Sequence, residues 1–160
     1  MRAVILSLDT GAYKAKADVA AAASLKRMLE QVGIEVRAAK AFPEDKEMLK
    51  TVLCKLADAG MVELVLTTGA VGFLEKHCAP DAVRETADRL LPGIPEALRA
   101  YNLRHTKKVI LDRSEAGIRK KTLMINLPES AKMAKEDLEY ILPEAVSYTH
   151  LRAHETLMNL

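Results

Sequence analysis

The stretch Leu64-Val65-Leu66-Thr67-Thr68-Gly69-Ala70-Val71-Gly72 is an apolar run that stops abruptly in hydroxyls and glycines. That is the pattern of a buried strand feeding a tight loop. Such a loop exposes backbone N–H groups at a sheet edge, a nest suited to phosphate. A plain strand-to-loop turn that needs glycine for positive φ gives the same local pattern. The stretch also lacks the lysine of a Walker loop and the full G-x-G-x-x-G of a dinucleotide fold. Its meaning therefore depends on what flanks it.

Upstream, Ala3 to Leu8 reads as a strand buried on both faces, followed by turn residues Asp9, Thr10 and Gly11. From Asp18 a helix carries Leu25, Met28, Leu29 and Val32 at three- and four-residue spacing, and Gly33 closes it. Ile34 to Ala39 is a second strand. Pro43, Glu44 and Asp45 then open a helix whose apolar face holds Met48, Leu49, Val52, Leu53 and Leu56. Gly60 ends it, and Val62 to Thr67 is the third strand. Alternating strand and helix calls for an α/β fold with a largely parallel sheet covered by helices, its ligands at the carboxyl ends of the strands.

Downstream, Pro80 and Asp81 begin a helix, Pro92-Gly93 breaks it, and Pro95 starts another through Leu98 and Leu103. Val109 to Leu111 reads as a short strand, Gly117 as part of a turn, and Thr122 to Leu127 as a strand. Pro128-Glu129-Ser130 caps a last helix with Met133, Leu138, Ile141 and Leu142. Asn126 to Ser130 thus repeats the strand-to-helix mouth, where N–H groups and the helix dipole favour an anion. Two such mouths on one sheet edge suit a nucleotide-type ligand.

Composition sets the limits. The 160 residues fit one domain, and 24 Lys plus Arg against 22 Asp plus Glu argue against a nucleic-acid or anionic-membrane partner. No apolar run approaches the roughly 18 residues that span a bilayer. The start has a single basic residue and a short apolar run cut by Asp9, unlike a secretory signal, so a cytoplasmic location is expected. Cys54 and Cys78 are too few for a disulfide scaffold and form no C-x-x-C pair; Cys54 reads as a core residue on a helix's apolar face and Cys78 as an incidental loop thiol.

The blocks Leu64 to Gly72, Pro80-Asp81-Ala82, Pro92 to Arg99, Ala116-Gly117-Ile118-Arg119 and Thr122 to Pro128 together resemble the molybdopterin adenylyltransferase family of the MogA/MoaB type, in order and spacing over residues 2 to 145. The resemblance implies a three-layer α/β/α sandwich with a mostly parallel central sheet, assembled as a homotrimer. It implies transfer of AMP from ATP to the phosphate of molybdopterin, with Mg²⁺ as cofactor. The substrate contacts it implies are Asp9, Asp18, Thr67, Thr68, Gly69, Ala70, Gly72, Arg113, Asn126 and Ser130. Metal ligation falls to Asp9 and Glu44, and the catalytic positions are those of Glu44 and His77.

The chain departs from the family pattern at several of these places. Ala70 stands for a glycine and Val71 for a threonine; if position 70 is left-handed, alanine costs about 1–2 kcal/mol there. His77 stands where the family has an aspartate. Imidazole is a poor Mg²⁺ ligand, so His77 is not expected to replace that acid in kind. Glu44 takes the place of a second aspartate with Asp45 beside it, and Glu129 brings negative charge where phosphate would lie. These departures define the alternative: a non-catalytic paralogue that binds pterin or nucleotide without turnover.

Residues 1–145 are thus expected to form the molybdopterin-binding domain. Residues 146–160 break the family pattern and resemble translated adapter sequence. His150 and His154 there have the i, i+4 spacing of a helical metal pair but no third ligand nearby.

Overall fold

The structure, a computed structural model, describes the backbone of residues 1–158 and the side chains of residues 1–148. The elements are β1 (Arg2–Leu8), α1 (Thr10–Ala15), α2 (Ala20–Gln31), β2 (Glu35–Phe42), α3 (Lys46–Asp58), β3 (Leu64–Thr68), α4 (Ala79–Thr86), β4 (Arg89–Leu90), α5 (Gly93–Asn102), a 3-10 turn (Lys107–Leu111), β5 (Ala116–Arg119), β6 (Thr122–Leu127) and α6 (Ala131–Met158). The strands form one sheet in the order β2-β1-β3-β6-β5-β4. The first four are parallel, β5 is antiparallel to β6, and β4 pairs antiparallel with β5, so only β5 runs against the rest.

Side-chain alternation along the strands makes two cores. Ala3 and Ile5 of β1, Leu64 and Leu66 of β3, and Leu123 and Ile125 of β6 pack under Leu25 and Leu29 of α2, Leu98 of α5 and Leu138 of α6. On the other face Val4, Leu6, Val65 and Met124 pack against Leu49 and Leu53 of α3 and Ala82 and Val83 of α4. The result is the expected three-layer α/β/α sandwich. The central strands are buried on both faces, so their sequences are continuous apolar runs without a polar side.

Four local readings differ from the structure, each for a physical reason. Asp9, Thr10 and Gly11 do not form a free turn; Asp9 accepts a hydrogen bond from the Ala12 N–H (2.9 Å) and caps the short helix α1. Val109 to Leu111 is no strand but part of the 3-10 turn, capped by Thr106, and Ile110 and Leu111 are exposed. Gly117 lies inside β5 rather than in a turn. A Cβ there would meet the Ala87 Cβ at 2.7 Å and the Arg89 carbonyl at 3.0 Å, so close approach across the β4–β5 edge requires glycine. The helix begun at Pro80 does not run to Pro92-Gly93; α4 ends at Thr86, and the two-residue β4, exposed and without alternation to signal it, follows.

The last helix runs without a break through residue 145, past Pro143. Val146 and Tyr148 pack on the same core as Ala145, and the Tyr148 hydroxyl donates to the Lys121 carbonyl. The side chains of His150 and His154 lie outside the described residues. Among the described residues no helix is long and apolar enough to cross a membrane.

Gly117→Ala is expected to lower stability by about 1–3 kcal/mol in urea denaturation. A glycine needed only for turn flexibility would tolerate alanine within about 0.5 kcal/mol.

Candidate active site

Parallel pairing brings the two strand-to-helix mouths together. Thr68 of β3 is in register with Leu127 of β6, and the Gly69 N–H extends the ladder by donating to the Leu127 carbonyl at 3.0 Å. Asn126 fixes the join. Its buried Nδ2 donates to the Thr67 hydroxyl (2.8 Å), and its Oδ1 accepts the Glu115 N–H (3.0 Å). Thr68 donates to the Ser7 hydroxyl at 3.0 Å. Thr67, Thr68 and Asn126 therefore spend their polar atoms inside the sheet, and Gly69 spends its N–H there too.

The free amides lie one residue further on. The N–H groups of Ala70, Val71, Gly72 and Phe73, and those of Glu129 and Ser130 across the gap, donate to no protein acceptor among the described residues. Gly69 and Ala70 both have positive φ, +82° and +57°. Holding alanine in that region costs about 1 kcal/mol, but its methyl is buried in the core layer with Leu8 and Cys78, which returns about 0.8 kcal/mol. The left-handed backbone at position 70 is thus held without the expected glycine.

Around this rim, Ser130 caps α6 by accepting the Met133 N–H at 3.3 Å, and the Glu129 side chain is exposed. Arg113 donates its backbone N–H to the Val71 carbonyl (2.8 Å), but its guanidinium forks onto Asp81 at 2.7 and 3.4 Å. That pairing holds the Asp81 carboxyl below its usual range, with Arg84 adding to it. Arg113 thus props the loop rather than presenting a free cation. His77 also serves the loop: its Nδ1 accepts the Leu74 N–H at 3.2 Å, and a Cβ on Gly72 would sit 2.6 Å from that same nitrogen.

The acids after β1 and β2 form a second corner. The Thr10 hydroxyl accepts the Glu44 N–H at 2.9 Å and lies 3.4 Å from Glu44 Oε1, beside Asp9. Asp18 is exposed between α1 and α2, without a hydrogen-bond partner among the described residues. No group of three or more metal-ligating side chains is found among the described residues. Cys78 is buried, and desolvation pushes its thiol up, which makes it a poor nucleophile.

Sequence reasoning missed the floor of the site. A cavity of about 530 Å³ opens beside Val71, Gly72 and Pro128, and the amide of Asn102 with the acids Asp112 and Asp137 line part of it. Asp137 has no exposed surface, and Asn102 is 6% exposed. The Asn102 Nδ2 donates to Asp137 Oδ2 at 2.8 Å, while Asn102 Oδ1 and Asp137 Oδ1 have no partner. Burial raises the Asp137 carboxyl to about 6, helped by the nearby Asp112 and Glu136 charges and opposed by the Asn102 hydrogen bond. Asp112 is raised for the same main reason, while Ser114 and Arg99 oppose it. The signal was a polar residue at a core position, since Asp137 shares its helix face with buried Ala134, Leu138 and Ile141.

Residues 4–147 match the family model described as "Probable molybdopterin binding domain". The chain belongs to this family. It is 35% identical over 105 residues to the molybdopterin adenylyltransferase of Helicobacter pylori strain J99, covering 66% of the chain and 59% of that protein. Against the Escherichia coli K12 molybdopterin adenylyltransferase it is 39% identical over 98 residues, 61% of the chain and 50% of that protein. The chain therefore spans about half to three fifths of these curated relatives. The structure of the molybdopterin biosynthesis enzyme MoaB from Thermus thermophilus superposes with a TM-score of 0.79 at 35% identity, covering 89% of each chain. A molybdopterin biosynthesis protein from Mycobacterium abscessus gives 0.84 at 25% identity, covering 96% of this chain and 98% of that one.

Two outcomes test the geometry of this family member. Gly72→Ala is expected to destabilise by about 1–2 kcal/mol through the His77 ring, and the penalty should largely vanish in a His77→Ala background, as a double-mutant cycle by denaturation would record. For Asp137, the folded carboxyl binds its proton more tightly than the unfolded one, so its contribution worsens as pH rises from about 4 to 6 and stays unfavourable above. Asp137→Asn should therefore gain up to about 3 kcal/mol on the parent at pH 8 relative to pH 4. Thermal melts of both proteins at the two pH values check this, and the comparison cancels the paired acids Asp58, Glu63, Asp81 and Glu85, whose lowered values act in the opposite direction.

Proposed function

We propose that the chain adenylylates molybdopterin, using Mg-ATP as co-substrate, in molybdenum cofactor biosynthesis. The observation that carries this reading is the pair of adjacent loops, 70–73 and 129–130, whose main-chain amides donate to no protein acceptor among the described residues, beside a cavity lined by Val71, Gly72, Phe73 and Pro128. A phosphate oxygen of molybdopterin attacks the α-phosphorus of ATP, a new P–O bond forms, and the bond to pyrophosphate breaks. No protein nucleophile is needed. Preorganised donors and position do the work, because charge spreads over phosphoryl oxygens during the transfer.

The residues divide as follows. Loop amides hold phosphoryl oxygens, and the N-terminal end of α6 adds its dipole. Asp9 and Glu44, adjacent after neighbouring strands, are the carboxylates that would hold Mg²⁺, a cation bound by one or two acids together with substrate phosphates. When bound, Mg²⁺ offsets the negative charge of the polyphosphate. His77 positions the loop through Gly72 and Leu74 rather than taking up metal. A cytoplasmic homotrimer belongs to the same reading; the exposed apolar side chains of Phe73 and Ile110, at 67% and 74%, favour a contact between copies of the chain.

The purified chain, given molybdopterin and Mg-ATP, is expected to release pyrophosphate and form the AMP ester. Glu44→Gln, which removes charge and keeps shape, should slow AMP transfer by about 10–100-fold. Tight binding of both substrates without any AMP transfer would overturn the enzymatic reading.

A further inference from the structure

The cavity floor poses a chemical demand that the loop amides do not meet. Asn102 Oδ1 and Asp137 Oδ1 are two acceptors, both nine-tenths buried or more, both without a partner, and joined by the hydrogen bond between their other side-chain atoms. Buried acceptors left unpaired are unfavourable, and the favourable complement is a group carrying two hydrogen-bond donors on one edge. The surrounding wall is apolar, with Leu98, Val109 and Met133 among its residues, which suits a flat ring rather than a hydrated cation.

We infer that Asp137, with Asn102, is the specificity-determining residue that reads the N–H and amino donor edge of a 2-amino-4-oxopyrimidine ring, the edge shared by pterin and guanine. This deepens the function proposed above and rests on it. The two unpartnered oxygens, Asp137 Oδ1 and Asn102 Oδ1, would each accept one of the two donors, while Asp137 Oδ2 stays on the Asn102 amide. Adenine cannot make the same contact. It presents one amino donor beside a ring nitrogen acceptor, and the acceptor would face a carboxyl oxygen. The floor thus sorts the two substrates, directing the pterin ring inward and leaving the adenine elsewhere, while the cavity wall at Val71 and Pro128 keeps a phosphate tail near the free amides. With its carboxyl raised only to about 6, Asp137 is ionised at neutral pH and remains an acceptor there.

The test uses wild-type protein first. The chain has no tryptophan, so the fluorescence of 6-hydroxymethylpterin reports binding directly, without ATP and without turnover. Pterin is expected to bind at least about tenfold more tightly than lumazine, its 2-oxo analogue, because the lost amino donor leaves an acceptor unpaired. Competition by GMP but not AMP would support recognition of the shared donor edge, and a pterin that outcompetes GMP would assign the source.

Asp137→Asn places an amide donor within reach of the ring donors and is expected to weaken pterin binding by about tenfold or more, with Mg-ATP affinity by calorimetry unchanged. Equal binding of pterin and lumazine, displacement of pterin by AMP, or unaltered pterin affinity in Asp137→Asn would each overturn the inference. If AMP transfer to molybdopterin persists in any of those cases, the functional reading stands and the assignment of the floor falls. If Asp137→Asn fails to fold, the pterin-against-lumazine ratio on the wild-type chain decides alone.

Discussion

The site depends on the parallel join between β3 and β6. These strands come from stretches about 60 residues apart, and their register is held by backbone pairing from Leu64–Leu123 to Thr68–Leu127 and by the Asn126 amide. Were the register to slip by one residue, apolar side chains of β6 would exchange faces and both cores would be disrupted. The same constraint that builds the core therefore places two loops side by side. Polar side chains at the strand ends are used to weld that seam, and the amides immediately beyond it are left unpaired.

Charge is arranged around the seam in layers. The Arg113 guanidinium beside the loop is paired with Asp81, which leaves the unpaired main-chain amides as the donors at the rim. Acids occupy two separate positions, Asp9 with Glu44 at one side and Asp112 with Asp137 in the cavity. The first pair is partly open to solvent and suited to a hydrated cation. Desolvation dominates the second, which makes it costly when empty and selective when filled. A ligand that is anionic at one end and rich in donors at the other is the natural match for this division.

Much of this was legible in the chain. The first three strands and their helices could be read because doubly buried strands are uninterrupted apolar runs and helices restate their period several times. The glycine loop and the Ser130 cap were legible because their chemistry is local. What escaped was non-local or ambiguous. Asp9-Thr10-Gly11 serves equally as a turn or as the start of a short helix, and only the carboxyl hydrogen bond distinguishes them. Val109 to Leu111 has strand-like residues, yet only Val109 is buried, while Ile110 and Leu111 are left exposed. Thr67 and Thr68 are expected substrate contacts, and their composition alone could not reveal that Thr67 accepts from Asn126 and Thr68 donates to Ser7 on neighbouring strands. Asn102 and Asp137 lie 35 residues apart on different helices and acquire meaning only through contact.

Position 70 faces two opposed selections. Its backbone is left-handed, which disfavours every branched side chain, and its buried environment rewards a methyl. Burial offsets much of the conformational cost of alanine, so this loop conformation is compatible with either glycine or alanine. Motif spelling and loop architecture are thereby decoupled: a signature scan counts a lost glycine where the polypeptide has merely traded conformational ease for packing.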